Sequence, residues 1–307
     1  MKTSWFLIVN PTAGNGSFKK NWLQIQTELK QQNIDYTAAF TKNSGHEIIL
    51  VQEAVTAGYT KIISVGGDGT LHHVVNGIML QKTIPSIEIT IGVIPLGTGN
   101  DWVKTYAIPQ NIKQNIQLIK QENTVYQDVG CVELTNKKRT YFTNVAGVGY
   151  DGYVVNTLNK LKRFGPVAYL VSGLAGLLFY KKTSFKITNT TTTKTVKSLM
   201  TLVGICKYSG GGMQLTSYID ATNGLFDISV VKDMTFLELF LNIKKLYNGA
   251  ITTHKKVNTY TSPYLKVSPL YPEEAPFIQA DGELIGKGTA TFSILQKQLC
   301  FVVNPFF

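Results

Sequence analysis

At 307 residues, 44% hydrophobic and 16% charged, the chain is long enough for two domains and reads as globular, not disordered. Its net charge of +11 points to an anionic partner (nucleotide phosphate, nucleic acid or an acidic membrane surface) or to a plain basic exterior. The basic residues lie in short clusters (Lys137 to Arg139, Lys160 to Arg163, Lys181-Lys182, Lys255-Lys256), not in the long arm that would favour nucleic acid; Cys131, Cys206 and Cys300 are too few and too scattered for a disulfide framework or a C-x-x-C metal site.

The first 125 residues alternate. Trp5 to Val9 is an apolar run too short for a signal peptide and reads as a buried strand. Lys19 to Lys30 follows as a helix with Trp22, Ile25 and Leu29 on one face. Tyr36 to Phe40 reads as a strand, Glu47 to Ala57 as a helix, Lys61 to Val65 as a strand and Leu71 to Leu80 as a helix. Ile89 to Ile94 as a strand and Asn111 to Lys120 as a helix complete the series. Such β-then-α repetition predicts a parallel sheet covered by helices.

From Val125 the rhythm changes to short strands: Tyr126 to Leu134, Thr140 to Val145, Ser184 to Thr188, Leu199 to Cys206, Phe226 to Val231, Tyr264 to Val267 and Ala290 to Ile294. Turn residues separate them, including Asn189 with Thr190 to Thr193, and Asn223-Gly224. This pattern predicts an antiparallel sandwich. Two helices interrupt it, at Asp151 to Tyr180 with a break at Gly165-Pro166, and at Thr235 to Tyr247. The apolar part of the first, Phe164 to Tyr180, falls short of the about 20 residues a spanning helix needs and holds three glycines and a proline. It reads as a helix buried in the protein or lining an apolar cleft. No internal repeat is found.

Three loops of the first region follow strands, where a parallel sheet places its ligands. Asn10 to Gly16 is small and polar, suited to turning backbone N–H groups toward an anion, or to a plain strand-to-helix link. Gly66-Gly67-Asp68-Gly69-Thr70 combines backbone freedom with a helix start, where Thr70 is expected to cap free N–H groups. A carboxylate beside phosphates calls for a cation, so Asp68 implies Mg²⁺ or its waters; a tight turn with a capping Asp is the plainer alternative. Gly97-Thr98-Gly99-Asn100-Asp101 repeats the combination after the next strand. Together the last two loops describe a phosphate site with two carboxylates, Asp68 and Asp101. Far downstream, Asp281-Gly282-Glu283 would present both carboxylates on one face if extended, able to deprotonate a hydroxyl, or would form a hairpin turn.

These pieces occur together in one family. Asn10-Pro11-x-Ala13-Gly14, Gly66 to Thr70 with Asn76-Gly77, Pro95 to Asp101, and Asp281-Gly282-Glu283 resemble the diacylglycerol-kinase-like lipid kinases, relatives of sphingosine and ceramide kinases. The resemblance implies an α/β fold: a Rossmann-like nucleotide-binding domain over residues 1–127, rejoined by 298–307, and an antiparallel β-sandwich lipid domain over 128–297. It implies ATP and Mg²⁺ as cofactors. Nucleotide contacts would come from Asn10, Thr12, Ala13, Gly14, Thr41, Gly66, Gly67, Asp68, Gly69, Thr70, Gly97, Thr98, Gly99 and Asn100. Asp68 and Asp101 would hold Mg²⁺ through water. Glu283 would be the general base on a lipid hydroxyl with Asp281 beside it, and Asp68 a rival base.

The resemblance also implies a lipid substrate at a membrane surface, no nucleic acid, and a cytoplasmic protein associated peripherally with the inner membrane. Residues 156–182 would line a lipid cleft, with Lys160, Lys162, Arg163, Lys181 and Lys182 toward headgroups, or form a core helix with solvated ends. His72-His73 stands where relatives carry Asn-Glu, and no transition-metal site is expected there. Asn223-Gly224-Leu225 after Asp220 replaces an Asp-Gly-Leu that holds Mg²⁺ in some members, so tight metal binding is not expected at that point. A soluble-substrate kinase of the nicotinamide-dinucleotide kinase type and a non-catalytic nucleotide- or lipid-binding regulator are the alternatives. Lipid identity and oligomeric state are left open, a homodimer being one option.

Overall fold

In the computed structural model, Trp5–Val9 (β1) is buried along its whole length, as expected of a run with no polar side chain. The structure describes all residues except 1, 15, 98, 136–137, 159–172, 174–175, 178–179, 218–219 and 307, and the side chain of Phe236. The chain divides into two compact units, residues 1–128 with 296–307, and residues 129–295.

In the N-terminal unit, β1 pairs in parallel with Tyr36–Phe40 (β2) on one side and Lys61–Gly66 (β3) on the other. Thr90–Pro95 (β4) extends the sheet beyond β3, giving the order β2-β1-β3-β4. The chain leaves β1 in one direction and returns to its other side, so the switch point lies between the carboxyl ends of β1 and β3. Phe18–Gln31 (α1) packs with Ile112–Gln121 (α5), and His46–Thr56 (α2) packs with Asp68–Leu80 (α3). Gly77 permits the second contact: a Cβ there would come within 2.7 Å of Val51 Cβ. Asp101–Thr105 (α4) is a short helix after β4.

In the C-terminal unit, Thr124–Leu134 (β5), which begins in the first unit, pairs antiparallel with Arg139–Phe142 (β6). Thr183–Thr188 (β8) and Thr193–Ser198 (β9) form a hairpin, and Tyr264–Pro269 (β15) lies beside β8. Ala290–Val302 (β18) pairs antiparallel with β15 through Ala290 to Ser293, and in parallel with β4 through Cys300 and Phe301. One long strand thus carries the chain from the second unit back into the first. The second sheet runs Val257–Ser262 (β14), Phe226–Val231 (β13), Met200–Gly204 (β10), Val145–Gly149 (β7), Phe277–Ala280 (β16) and Glu283–Lys287 (β17). Phe142 stacks on Phe226, and its ring meets Phe292 edge-on, filling the space between the sheets of the sandwich. Gly130, opposite Phe142 in the ladder, leaves room for that ring: a Cβ would lie 2.2 Å from it.

Several boundaries differ from expectation. The stretch Thr140 to Val145 is two strands, because Thr143 and Asn144 bend away between β6 and β7. Thr193 opens β9 and does not end the turn; Asn189 Oδ1 accepts from the N–H groups of Thr191 and Thr192 and closes the hairpin before it. The helix expected over Thr235 to Tyr247 is two, Phe236–Leu241 (α7) and Ile243–Asn248 (α8), parted where Asn242 leaves the helical region. Tyr150–Leu158 (α6) is the described start of the Asp151 to Tyr180 helix; its break at Gly165-Pro166 and most of its apolar part lie outside the described residues. No helix among the described residues is long and apolar enough to cross a membrane. The three cysteines are buried thiols, none in a disulfide.

Candidate functional site

The glycine-rich loops after β3 and β4 touch backbone to backbone. A Cβ on Gly97 would lie 2.6 Å from Gly67 Cα and 2.7 Å from Asn100 Oδ1, and one on Gly66 would lie 2.3 Å from Thr70 Oγ1. Glycine at 66 and 97 is therefore required by packing. Leu96 N–H donates to the Gly66 carbonyl at 2.7 Å, and Asn100 Nδ2 donates to the Gly97 carbonyl at 2.6 Å. Asn100 itself takes the left-handed conformation that Asn tolerates.

Asp68 fixes the second loop to the first. Its Oδ1 accepts the N–H of Asp101 at 2.9 Å and of Trp102 at 3.4 Å. The carboxylate thus caps α4, and the alternative of a capping Asp is realised, though on a helix other than its own. A Cβ at Gly99 would come within 3.1 Å of Oδ2, so Gly99 keeps that flank open. Asp101, almost fully buried, forms an ion pair with Lys104 at 2.8 Å. Two carboxylates form a hard oxygen donor set, the kind Mg²⁺ takes while keeping its waters. With Asp68 Oδ1 given to amides and Asp101 Oδ1 to a lysine, the pair fits a hydrated ion better than direct ligation. Among the described residues no group of three or more His, Cys, Asp or Glu is placed to hold a metal.

Thr70 does not cap α3. The helix starts at Asp68, with Gly67 as its N-cap and no side-chain cap bond. Thr70 is its third residue, buried, and its Oγ1 accepts from Asn10 Nδ2 at 3.1 Å across the β1/β3 switch point. The N-cap of α3, Gly67, thus has no side chain to compete for the first-turn N–H groups, Gly69 included, which suits anion binding at a helix N-terminus. In the first loop, Asn10 Oδ1 accepts from Thr12 N–H and Thr12 Oγ1, and Ala13 N–H bonds to the Asn10 carbonyl. The amides of Thr12 and Ala13 are thus bonded within the loop. Gly14 turns with φ +83° and abuts Ser17 and the Leu96 carbonyl. A cleft of about 270 Å³ opens between these loops and α5, walled by Gly14, Ser17, Asn21, Pro95, Leu96, Gly97, Asn100, Gln110 and Ile112. Asp68, Gly69 and Thr70 do not wall it. Thr98 lies outside the described residues.

The loop after β2 is tied to the same helix. Thr41 is buried and its N–H donates to Val9. His73 Nε2 and Ser44 Oγ lie 3.1 Å apart, holding this loop against α3. His72 is buried, and Asn76 Nδ2 donates to its carbonyl at 2.8 Å and sits 3.3 Å from its Nε2. The two histidines thus stand in different settings. Sequence reasoning missed a buried shell behind α4: Trp102 Nε1 and Tyr106 Oη both donate to Gln127 Oε1 at 2.9 Å, and Asp128 Oδ1 accepts Lys297 N–H. Two adjacent polar residues inside an apolar strand were its only trace.

In the C-terminal unit, Asp281 and Gly282 are the two central residues of the β16–β17 hairpin, with φ +51° and +81°. This is the Asp-Gly turn that matches the twist of paired strands. The extended geometry that would align Asp281 and Glu283 on one face is absent. The Asp281 carboxylate accepts Thr143 N–H at 3.1 Å and Asn144 N–H at 2.9 Å, anchoring the turn to the start of β7. Glu283 opens β17, half-buried. Gln279 clamps the same turn: its Oε1 accepts Gly282 N–H and its Nε2 donates to Asp151. The Asp151 carboxyl is packed so tightly on Gly147 that a Cβ there would lie 2.0 Å from Oδ2; burial pushes its pKa up against the Gln279 hydrogen bond. Asp151, read in the sequence only as a helix start, is thereby part of the turn's support.

At the remaining expected positions, Asp220 Oδ1 accepts from Thr222 N–H and Oγ1, and Asn223 Oδ1 accepts Leu225 N–H, so both side chains close local turns. Lys182 pairs with Asp233, and Lys181 is largely exposed. Lys160, Lys162 and Arg163 lie outside the described residues.

Residues 4–132 match the family described as diacylglycerol kinase catalytic domain, and residues 144–303 match the YegS C-terminal NAD kinase beta sandwich-like domain. A candidate lipid kinase of Bacillus subtilis, YtlR, is 28% identical over 92% of this chain and 94% of its own length. A diacylglycerol kinase of Staphylococcus haemolyticus is 28% identical over 95% of this chain and 86% of its own. The crystal structure of a diacylglycerol kinase from Bacillus anthracis shares the fold, with a TM-score of 0.74 at 24% identity, over 99% of this chain and 97% of that one.

Proposed function

The chain belongs to the diacylglycerol-kinase-type lipid kinases, and from that premise we propose that it transfers the γ-phosphate of ATP to the hydroxyl of diacylglycerol or a related membrane lipid. The observation that carries this reading is the contact of two glycine loops at Gly67 and Gly97, beside a helix whose N-cap is itself a glycine.

Phosphoryl transfer asks the protein mainly for positioning and charge neutralisation. Asn10, Thr12, Ala13, Gly14 and Thr41 border the nucleotide in this reading, and Gly66 to Thr70 with Gly97 to Asn100 receive its phosphates. The first-turn N–H groups of α3 favour negative charge through the helix dipole. Asp68 and Asp101 would hold Mg²⁺ through water; the ion supplies compensation for charge on the phosphate oxygens. Asp68 also keeps α4 and the second loop in register through its two amide bonds. Glu283 takes the proton of the lipid hydroxyl. Asp281, turned onto the amides of Thr143 and Asn144, holds the hairpin that carries Glu283.

The test is incubation with γ-labelled ATP and Mg²⁺, offering diacylglycerol in mixed micelles, a total lipid extract, and a nicotinamide dinucleotide in parallel. Label in phosphatidic acid or another phospholipid is expected. Label on the dinucleotide alone would establish the soluble-substrate alternative, and nucleotide binding without label in any acceptor the regulatory one.

A further inference from the structure

We infer that α7 and α8 form a bilayer-docking surface that seats the C-terminal unit on an anionic membrane; the inference rests on the lipid-kinase reading only for the membrane being where the substrate resides. The pair presents Leu237, Phe240 and Leu241 to solvent at 62%, 52% and 72% exposure. These residues recur at the three- and four-residue spacing of one helical face. Large apolar side chains clustered on one surface mark an interaction site.

The surface is ordered in advance. Thr235 and Glu238 form a reciprocal capping box at the start of α7. Leu239, Leu246 and Ile251 are buried in the core beneath, so the opposite side of each helix is anchored. Little ordering entropy is left to be lost on docking, which separates this surface from a segment that folds on contact.

Charge selects the occupant. Lys244 and Lys245 on α8, the helix that contacts α7, and Lys255 shortly after it are exposed, while Glu238 is tied to Lys256 at 2.7 Å. Between Glu238 and Glu273 the sequence holds no acidic residue. A two-fold contact with a second copy would bring these lysines toward their own kind. An anionic bilayer offers apolar depth for the leucines and phenylalanine, and phosphate for the lysines. Tyr247, 40% exposed on α8, suits the headgroup level.

The experiment uses the full chain, the variant Leu237→Ser/Phe240→Ser/Leu241→Ser and the variant Lys244→Gln/Lys245→Gln. Each is sedimented with phosphatidylglycerol-containing vesicles and with phosphatidylcholine vesicles. Turnover of monomerically dissolved short-chain diacylglycerol and the melting temperature are measured on the same samples. The apolar variant is expected to lose at least about tenfold in partitioning, the effect of withdrawing one leucine from a nonpolar phase. The lysine variant should lose about fivefold per lysine on anionic vesicles alone. Short-chain turnover and melting should match the wild type. Wild-type partitioning in both variants, absence of vesicle binding by the wild type, joint loss of short-chain turnover, or wild-type dimers that the variants abolish would each overturn the docking surface. Vesicle binding that needs these residues in a protein that phosphorylates no lipid would uphold it while removing the kinase reading.

Discussion

Replacing Gly97 by alanine tests whether the contact between the two glycine loops shapes the site. The added Cβ would lie 2.6 Å from Gly67 Cα and 2.7 Å from Asn100 Oδ1. Ordinary contact begins near 3.4 Å, so the loops must part by roughly 0.8 Å at Gly67, and the Asn100 side chain, bonded to the Gly97 carbonyl, must shift as well. Overpacking of this kind costs about 1–3 kcal/mol, a fall in melting temperature of roughly 2–10 °C for a domain of this size. A displacement near 1 Å of positioning groups can cost about 100-fold in rate. Gly97→Ala should therefore lower kcat/KM for ATP by about 10- to 100-fold in the labelled-ATP assay. Gly58→Ala is the control: it sits at φ +88° with nothing within 4 Å of the new Cβ, at the end of α2 and away from the loops. It should destabilise by about 1 kcal/mol through backbone strain alone and leave kcat/KM unchanged. If both variants lose stability and Gly97→Ala keeps its kcat/KM within twofold, the loop contact is a packing feature and the argument from it fails.

Asp68→Asn retains an oxygen for the α4 amides but removes the charge, whereas Asp68→Ala removes both. Turnover should vanish in both, with a stability loss of about 1–2 kcal/mol confined to the alanine variant; an active Asp68→Asn would reduce Asp68 to a cap. Glu283→Gln should slow transfer by at least about 100-fold, with nucleotide affinity and melting temperature retained; an unchanged rate moves the base elsewhere. Gln127→Leu removes the acceptor that the buried Trp102 Nε1 and Tyr106 Oη share and should cost roughly 1–3 kcal/mol in a denaturant titration. Burial raises the Asp151 pKa above its ordinary 3.8, so the folded protein holds this proton longer than the unfolded chain. That contribution to stability is complete below pH 3.8 and is lost as pH rises toward the folded value. Asp151→Asn should accordingly gain stability relative to wild type as pH rises toward neutrality, and a difference independent of pH would refute the assignment.

The candidate site was legible in the sequence to the extent that its residues are short-range devices. Glycines, a carboxylate and a strand-to-helix change at Gly66 to Thr70 and Gly97 to Asp101 mark candidate anion-binding loops from local sequence alone. What those residues bond to was not legible. Thr70 reads as a cap and is a partner of Asn10, sixty residues away. Asp68 reads as facing phosphate and also caps the helix beginning at Asp101. Asp281-Gly282-Glu283 permits an extended pair or a turn. The turn forms because β16 and β17 pair, and that pairing imposes positive φ on both central residues.

The same division holds for the whole chain. Local periodicity determined which segments are strands and helices in the N-terminal unit, because burial on one face repeats every two or 3.6 residues regardless of distant partners. It fixed β1 and β2 to the residue. Short polar strands such as β9, β14 and β17 carry little such signal, since each ends its sheet order and buries few side chains. Only the tertiary structure decided that β18 serves both units, that Gly67 meets Gly97, and that Leu237, Phe240 and Leu241 face outward while Leu239 faces in. Each depends on which distant segments pack together, and no local pattern encodes that.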